Sequence, residues 1–140
     1  MTKRQSTREP LWLRVVTVKT IHADQIAEHH GIETSTDDAK LGSALARAQQ
    51  RFAYAAQPPS LAELAAEYAF GIARNHPFTD GNKRVAFMAA FVFLRINGLH
   101  LKADEVDAVV TIKALAAGEL SVDELAAWLQ QNSVKAKRPR

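Results

Sequence analysis

Residues 60–97 read SLAELAAEYAFGIARNHPFTDGNKRVAFMAAFVFLRIN, and this stretch decides the fold. Ser60 followed by Glu63 is a capping box, in which the serine oxygen takes a backbone N–H three residues on and the glutamate reaches back. Behind it Leu61, Leu64, Tyr68 and Ile72 recur at steps of three, four and four, the spacing of one helical face. One further step of four reaches His76. Beyond a polar loop, Asn82 to Asn97 is apolar nearly all round, with Val85, Phe87, Met88, Phe91, Val92, Phe93, Leu94 and Ile96. That segment is too short to cross a bilayer, so it predicts the buried central helix of a bundle.

Working outward, helical periodicity continues on both sides. Leu11 to Val18 (LWLRVVTV) fits either a short strand or the lead-in to a first helix over about residues 18–30, which stops at Gly31. Asp37 or Asp38 caps a second helix through Leu41, Leu45, Ala48 and Phe52. After Gly98 the segment GLHLKA turns the chain into a fifth helix over about 104–117. Ser121 with Glu124 makes a second capping box for a last helix ending near Gln131. The expectation is an all-α, single-domain bundle of about six helices over residues 11–132, with basic tails at 1–10 and 133–140.

The apolar fraction of 47% in 140 residues allows a core without covalent staples. There is no cysteine, which excludes disulfides and thiolate metal sites and suits a reducing cytoplasm. No signal-peptide pattern opens the chain, because Glu9 and Arg14 interrupt the apolar run. The computed pI of about 9.4 invites a nucleic-acid reading. The charge map argues against one: the first 14 residues carry +3 and the last six +4 in a chain of net +3, which leaves −4 for residues 15–134. The body is mildly acidic and the basicity belongs to the ends, which read as solvated tails.

Chemistry concentrates in Asn75-HPFTDGNKR-Arg84. A helix N-terminus presents unpaired N–H groups and partial positive charge, so the start of the fourth helix is a natural anion site. Gly81 permits close approach of a ligand to the backbone. Lys83 and Arg84 in the first turn oppose the helix dipole at about 0.3–1 kcal/mol each, a cost that a bound polyanion would offset. Histidine titrates near neutrality, which suits His76 to take a proton from a hydroxyl. Asp80 has two readings, N-cap of the fourth helix or a carboxylate supporting Mg²⁺. Base, carboxylate and anion cradle within nine residues suggest phosphoryl or nucleotidyl transfer. The alternative is a capped turn with a solvated basic pair. His22, Glu28, His29 and His30 lack metal-ligand spacing and read as a solvated helix face.

The loop resembles the signature of the Fic superfamily, H-P-F-x-x-G-N-x-R, and in particular its Doc (death-on-curing) branch. There a lysine, here Lys83, stands where AMP-transferring members have a second glycine. IHADQIAEHHG, LGSALARAQQRFAY, LAAEYAFGIARNH, FLRINGLHL and AAGELSVDELAAWL extend the resemblance over roughly residues 12–131. It implies the Fido fold, with His76 as general base and Asp80 supporting Mg²⁺. Gly81, Asn82, Lys83 and Arg84 would hold the phosphates of ATP, with Arg74 as a further arginine ahead of the loop or an ordinary last-turn cation. It also implies a cytoplasmic kinase toxin acting on a Ser or Thr hydroxyl, with translation elongation factor Tu as expected target class and an antitoxin as partner.

Two departures from AMP-transferring members bear on the reaction: Lys83, and Phe87 where a second arginine would stand. Doc proteins share both and pass on the γ-phosphoryl. No glutamate in the chain precedes Gly or Asn, so the inhibitory helix many Fic proteins carry in cis is missing, and restraint would fall to a partner. The rivals are an AMP or other NMP transferase and a catalytically silent binding module of the same fold.

Overall fold

A computed structural model describes residues 9–28 and 35–137. Six helices run in order: α1 (Val15–Glu28), α2 (Asp38–Tyr54), α3 (Leu61–Asn75), α4 (Asn82–Ile96), α5 (Glu105–Ala116) and α6 (Val122–Gln131). Two short strands, β1 (Leu99–Leu101) and β2 (Ser133–Lys135), make an antiparallel ribbon. Both capping boxes form, at Ser60/Glu63 and Ser121/Glu124. Asp37, rather than Asp38, caps α2 by accepting from the Lys40 N–H. Asp104 does the same for α5. Among the described residues no helix is long and apolar enough to cross a membrane.

Three expectations are corrected. Of the two readings of Leu11–Val18 the lead-in to a helix holds, but α1 begins at Val15 rather than at about Val18, and residues 9–14 form a strap ahead of it. The Leu11 N–H donates to Asn97 Oδ1 (2.8 Å), Asn97 Nδ2 donates back to Leu11 O (3.0 Å), and the Leu13 N–H donates to the Tyr68 hydroxyl (3.1 Å). Trp12 anchors the strap between Phe52 and Phe93, and burial pushes the Tyr68 phenol above its ordinary value.

The helix enclosed most completely is α3, not α4. Ten of its residues are buried, five of them alanines (62, 65, 66, 69 and 73). Small side chains let neighbours approach closely, and at Gly71 a Cβ would come within 2.8 Å of Ala44 O on α2. α4 instead buries Val85, Ala86, Ala89, Ala90, Phe93 and Leu94 against the core and leaves Phe87, Met88 and Phe91 half-covered.

The third correction concerns the C-terminal tail expected from residue 133. Ser133–Lys135 pair with β1, framed by Lys102 N–H to Asn132 O (2.7 Å) and Ala136 N–H to Gly98 O (2.9 Å). The turn after Gly98 leaves a free backbone edge, and the chain returning from α6 satisfies it. Three-residue strands carry too little periodicity to be seen in sequence. Of the basic terminus, Lys135 and Lys137 are exposed. His29, His30 and Gly31, where the first helix was expected to end, lie outside the described residues.

Candidate active site

Residues 76–81 join α3 to α4, and the nine-residue motif runs on into the first turn of α4. At its start His76 is the C-cap of α3, in the left-handed region at φ 51, ψ 59, with its N–H donating to Ile72 O. Left-handed caps usually fall to glycine, and among the described residues His76 is the one non-glycine with positive φ. The kink takes its side chain off the Leu64–Tyr68–Ile72 face and leaves it exposed. Pro77 and Phe78 turn inward and are buried, Phe78 at 3% exposure.

The loop backbone is tied down on several sides. Asp37 N–H donates to Pro77 O (2.7 Å) and Thr79 N–H to Ser35 O (3.3 Å), with a bridge between Thr36 and Phe78. From inside, the buried Asn82 side chain accepts the Phe78 N–H at Oδ1 (3.1 Å) and donates from Nδ2 to Phe78 O (2.8 Å). These two bonds fix which way the amide points. Its Nδ2 lies 3.3 Å from His76 Nδ1; an amide nitrogen only donates, so that ring nitrogen is the acceptor. Asn82, expected to hold phosphate, therefore spends its side chain on the loop and offers an anion only its backbone N–H.

The opening of α4 differs from that of its neighbours. Ser or Asp side chains cap α2, α3, α5 and α6, whereas Gly81 (φ 85) precedes α4 with no side-chain cap. Asp80 is thus not the N-cap; its side chain is exposed and makes no hydrogen bond among the described residues. The first helical bond runs from Val85 N–H to Gly81 O, so the N–H groups of Asn82, Lys83 and Arg84 have no acceptor within the helix. Lys83 and Arg84 are both exposed beside them. Free N–H groups, two cations, a histidine and a carboxylate share one short turn. Arg74 stands apart: its guanidinium lies over the Phe70 ring (5.4 Å), as does that of Arg47 (4.7 Å), and among the described residues no bond joins it to the loop.

Two features were missed in sequence. His22 does not face solvent: it is 6% exposed, stacks on Phe78 and reaches Asp80 O. Its contacts lie more than fifty residues downstream, and only the spacing that puts it one turn from the buried Val18 hinted at an inward position. The other is an open cleft of about 610 Å³ that starts at Lys83 and Arg84 and runs along Phe87, Met88 and Phe91 towards Ile112 of α5. It accounts for the apolar side of α4 that the core leaves uncovered.

The structure is thus a helical bundle in which a loop tied down on several sides feeds an uncapped, doubly basic helix end. The Fic/DOC family model matches residues 12–94. The chain is 34% identical over 111 residues to a relative named protein kinase doc from Escherichia phage P1, covering 79% of this chain and 86% of that one. It is 41% identical over 91 residues to a relative named toxin Doc from Mycolicibacterium smegmatis, covering 64% and 70% respectively. This chain belongs to the Fic/DOC family.

Proposed function

We propose that this chain is the toxin of a toxin–antitoxin pair, a kinase that moves the γ-phosphoryl group of ATP to a Ser or Thr hydroxyl of a cytoplasmic protein. The observation that carries the reading is the α4 N-terminus, which lacks a side-chain cap and bears Lys83 and Arg84 next to His76. The relatives' names support two parts of it, one being called a protein kinase and the other a toxin. Elongation factor Tu is the target class the family resemblance suggests.

In this reading the N–H groups of Asn82, Lys83 and Arg84 bind the terminal phosphates, and the two side chains offset their charge. His76 takes the hydroxyl proton at Nδ1, as the already long contact with Asn82 gives way. The hydroxyl oxygen bonds to the γ-phosphorus, the bond from that phosphorus to the β-bridging oxygen breaks, and ADP leaves. Among the described residues no three His, Asp or Glu side chains cluster as a ready-made metal cage. A single exposed carboxylate suits Mg²⁺, which is held mainly by phosphate oxygens and water with one or two carboxylates. Asp80 would hold that ion, which supplies neutralisation of phosphate charge.

Restraint by an antitoxin fits the cleft beside Lys83 and Arg84. Its floor is apolar and its charged lining is Lys83, Arg84, Lys113 and Glu105, which suits an amphipathic helix with acidic flanks. The deciding experiment incubates the full chain, Mg²⁺ and the elongation factor with γ- or α-labelled ATP. Label from the γ position, with the mass gain of one phosphate, is expected. Label from the α position would promote the nucleotidyl transferase, and none from either would favour a silent module or another target.

A further inference from the structure

His22 belongs to α1, far from the signature loop in sequence, yet it meets that loop twice. Its ring lies on Phe78 with 4.0 Å between centroids and 10° between planes. Its Nε2 stands 3.1 Å from Asp80 O. A carbonyl oxygen only accepts, so Nε2 carries the hydrogen.

The residue that follows gives this bond its consequence. Gly81 sits at φ 85, and glycine takes either sign of φ with little steric cost. Glycine's own sterics therefore do not fix the orientation of the Asp80–Gly81 peptide. No peptide bond among the described residues is cis, and in a planar trans peptide the C=O and N–H point in opposite directions. With the Asp80 carbonyl drawn to α1, the Gly81 N–H is turned away from α1. Among the described residues nothing accepts from it. A flip of this one peptide would turn that N–H towards α1 and change the entry into α4.

We infer that His22 is a positioning residue: by holding the Asp80 carbonyl towards α1 it keeps the Gly81 N–H facing outward as a fourth donor, beside those of Asn82, Lys83 and Arg84, for the phosphate being transferred. The inference rests on the phosphoryl-transfer reading above. The ring supplies a second element, since its stack on Phe78 sets the distance from α1 at which the bond is made. Donor and stack are separable. His22→Phe keeps an aromatic ring and removes the hydrogen; His22→Gln places an N–H donor near the position of Nε2 and removes the ring.

The test follows the Gly81 amide of the ¹⁵N-labelled full chain during titration with ATP and Mg²⁺, alongside thermal midpoints and steady-state transfer. In the wild type the Gly81 resonance is expected to move on nucleotide addition. In His22→Phe that response should vanish and kcat fall on the order of 10²-fold, the usual effect of losing one preorganised donor, with a smaller change in KM. His22→Gln should restore the Gly81 response and bring kcat to within about tenfold of wild type. A folded His22→Phe with the wild-type Gly81 response and kcat would overturn the inference. Should His22→Phe fail to fold, His22→Gln decides: a retained Gly81 response supports the inference and a lost one refutes it. If the wild type passes on AMP instead of phosphate, the kinase reading fails, while the amide response still judges His22.

Discussion

His76 carries two burdens, a left-handed backbone and the proposed proton transfer. A non-glycine residue in that region costs about 1–2 kcal/mol, and nothing about ending α3 requires a histidine there. His76→Gly should therefore fold at least as well as wild type, by about 0.5–1 kcal/mol after the added entropy of the unfolded chain is deducted. It should also lose at least 10²-fold in transfer rate, because positioned proton transfer contributes about 10²–10⁴. Chemical denaturation and target labelling check the two halves. A variant as active as wild type would remove His76 from the mechanism, and one much less stable would mean that its side chain braces the loop. At this scale the sequence was legible where chemistry is contiguous. His76, Asp80, Lys83 and Arg84 fall within nine residues, so one pattern displays them all. Asn82 was visible as a site residue, but its bonds to Phe78 depend on how the loop folds back. His22 was misread because burial of a helix face is decided by partners elsewhere in the chain.

Among the elements, α4 concentrates the conflict between stability and function. Its first turn has no acidic residue and no side-chain cap, and it carries Lys83 and Arg84 straight after Asn82. For an exposed helix end this is the unfavourable sign of charge. Lys83→Gln is accordingly expected to leave the thermal midpoint unchanged or raise it slightly, by an effect worth about 0.3–1 kcal/mol. Transfer from ATP should meanwhile drop tenfold or more as a cation is lost from the phosphates. A lower midpoint with unaltered kcat and KM would show that Lys83 serves the fold instead. Elements defined by local chemistry were readable: Ser-x-x-Glu encodes its own helix start, so α3 and α6 begin where their capping boxes place them. The role of α4 was harder to foresee. Its all-round apolar character predicts full enclosure, but one side faces the core and the other lines the cleft at Phe87, Met88 and Phe91. Periodicity reports that a surface is apolar, not what covers it.

Across the whole molecule, the described ends of the chain meet at the same place, the C-terminal end of α4. Asn97 holds the strap through Leu11, and Gly98 O accepts from Ala136 beyond β2. At about 1.5 Å per residue, the 15 residues of α4 put this junction about 20 Å from the loop. Of the basic terminus, the described Lys135 and Lys137 belong to this junction, and two truncations divide what each part contributes. Removing residues 138–140 leaves the ribbon whole, and both thermal midpoint and transfer rate should stay at wild-type values. Removing 133–140 deletes β2 and strips the backbone partners from β1. Each lost hydrogen bond is worth about 0.5–1.5 kcal/mol net, offset in part because the freed groups of β1 can reach water. A net loss of about 2 kcal/mol corresponds to a midpoint lower by roughly 4–8 °C in a domain of this size. The loop is held by hydrogen bonds from α1, residues 35–37 and Asn82, and among the described residues none of these bonds involves the ribbon, so kcat measured well below the midpoint should not change. A matching fall in kcat with the fold intact would show that the ribbon end of α4 is coupled to the loop end. A fall in activity on removing only 138–140, steepest at low salt, would instead assign the basic terminus to capture of an acidic target.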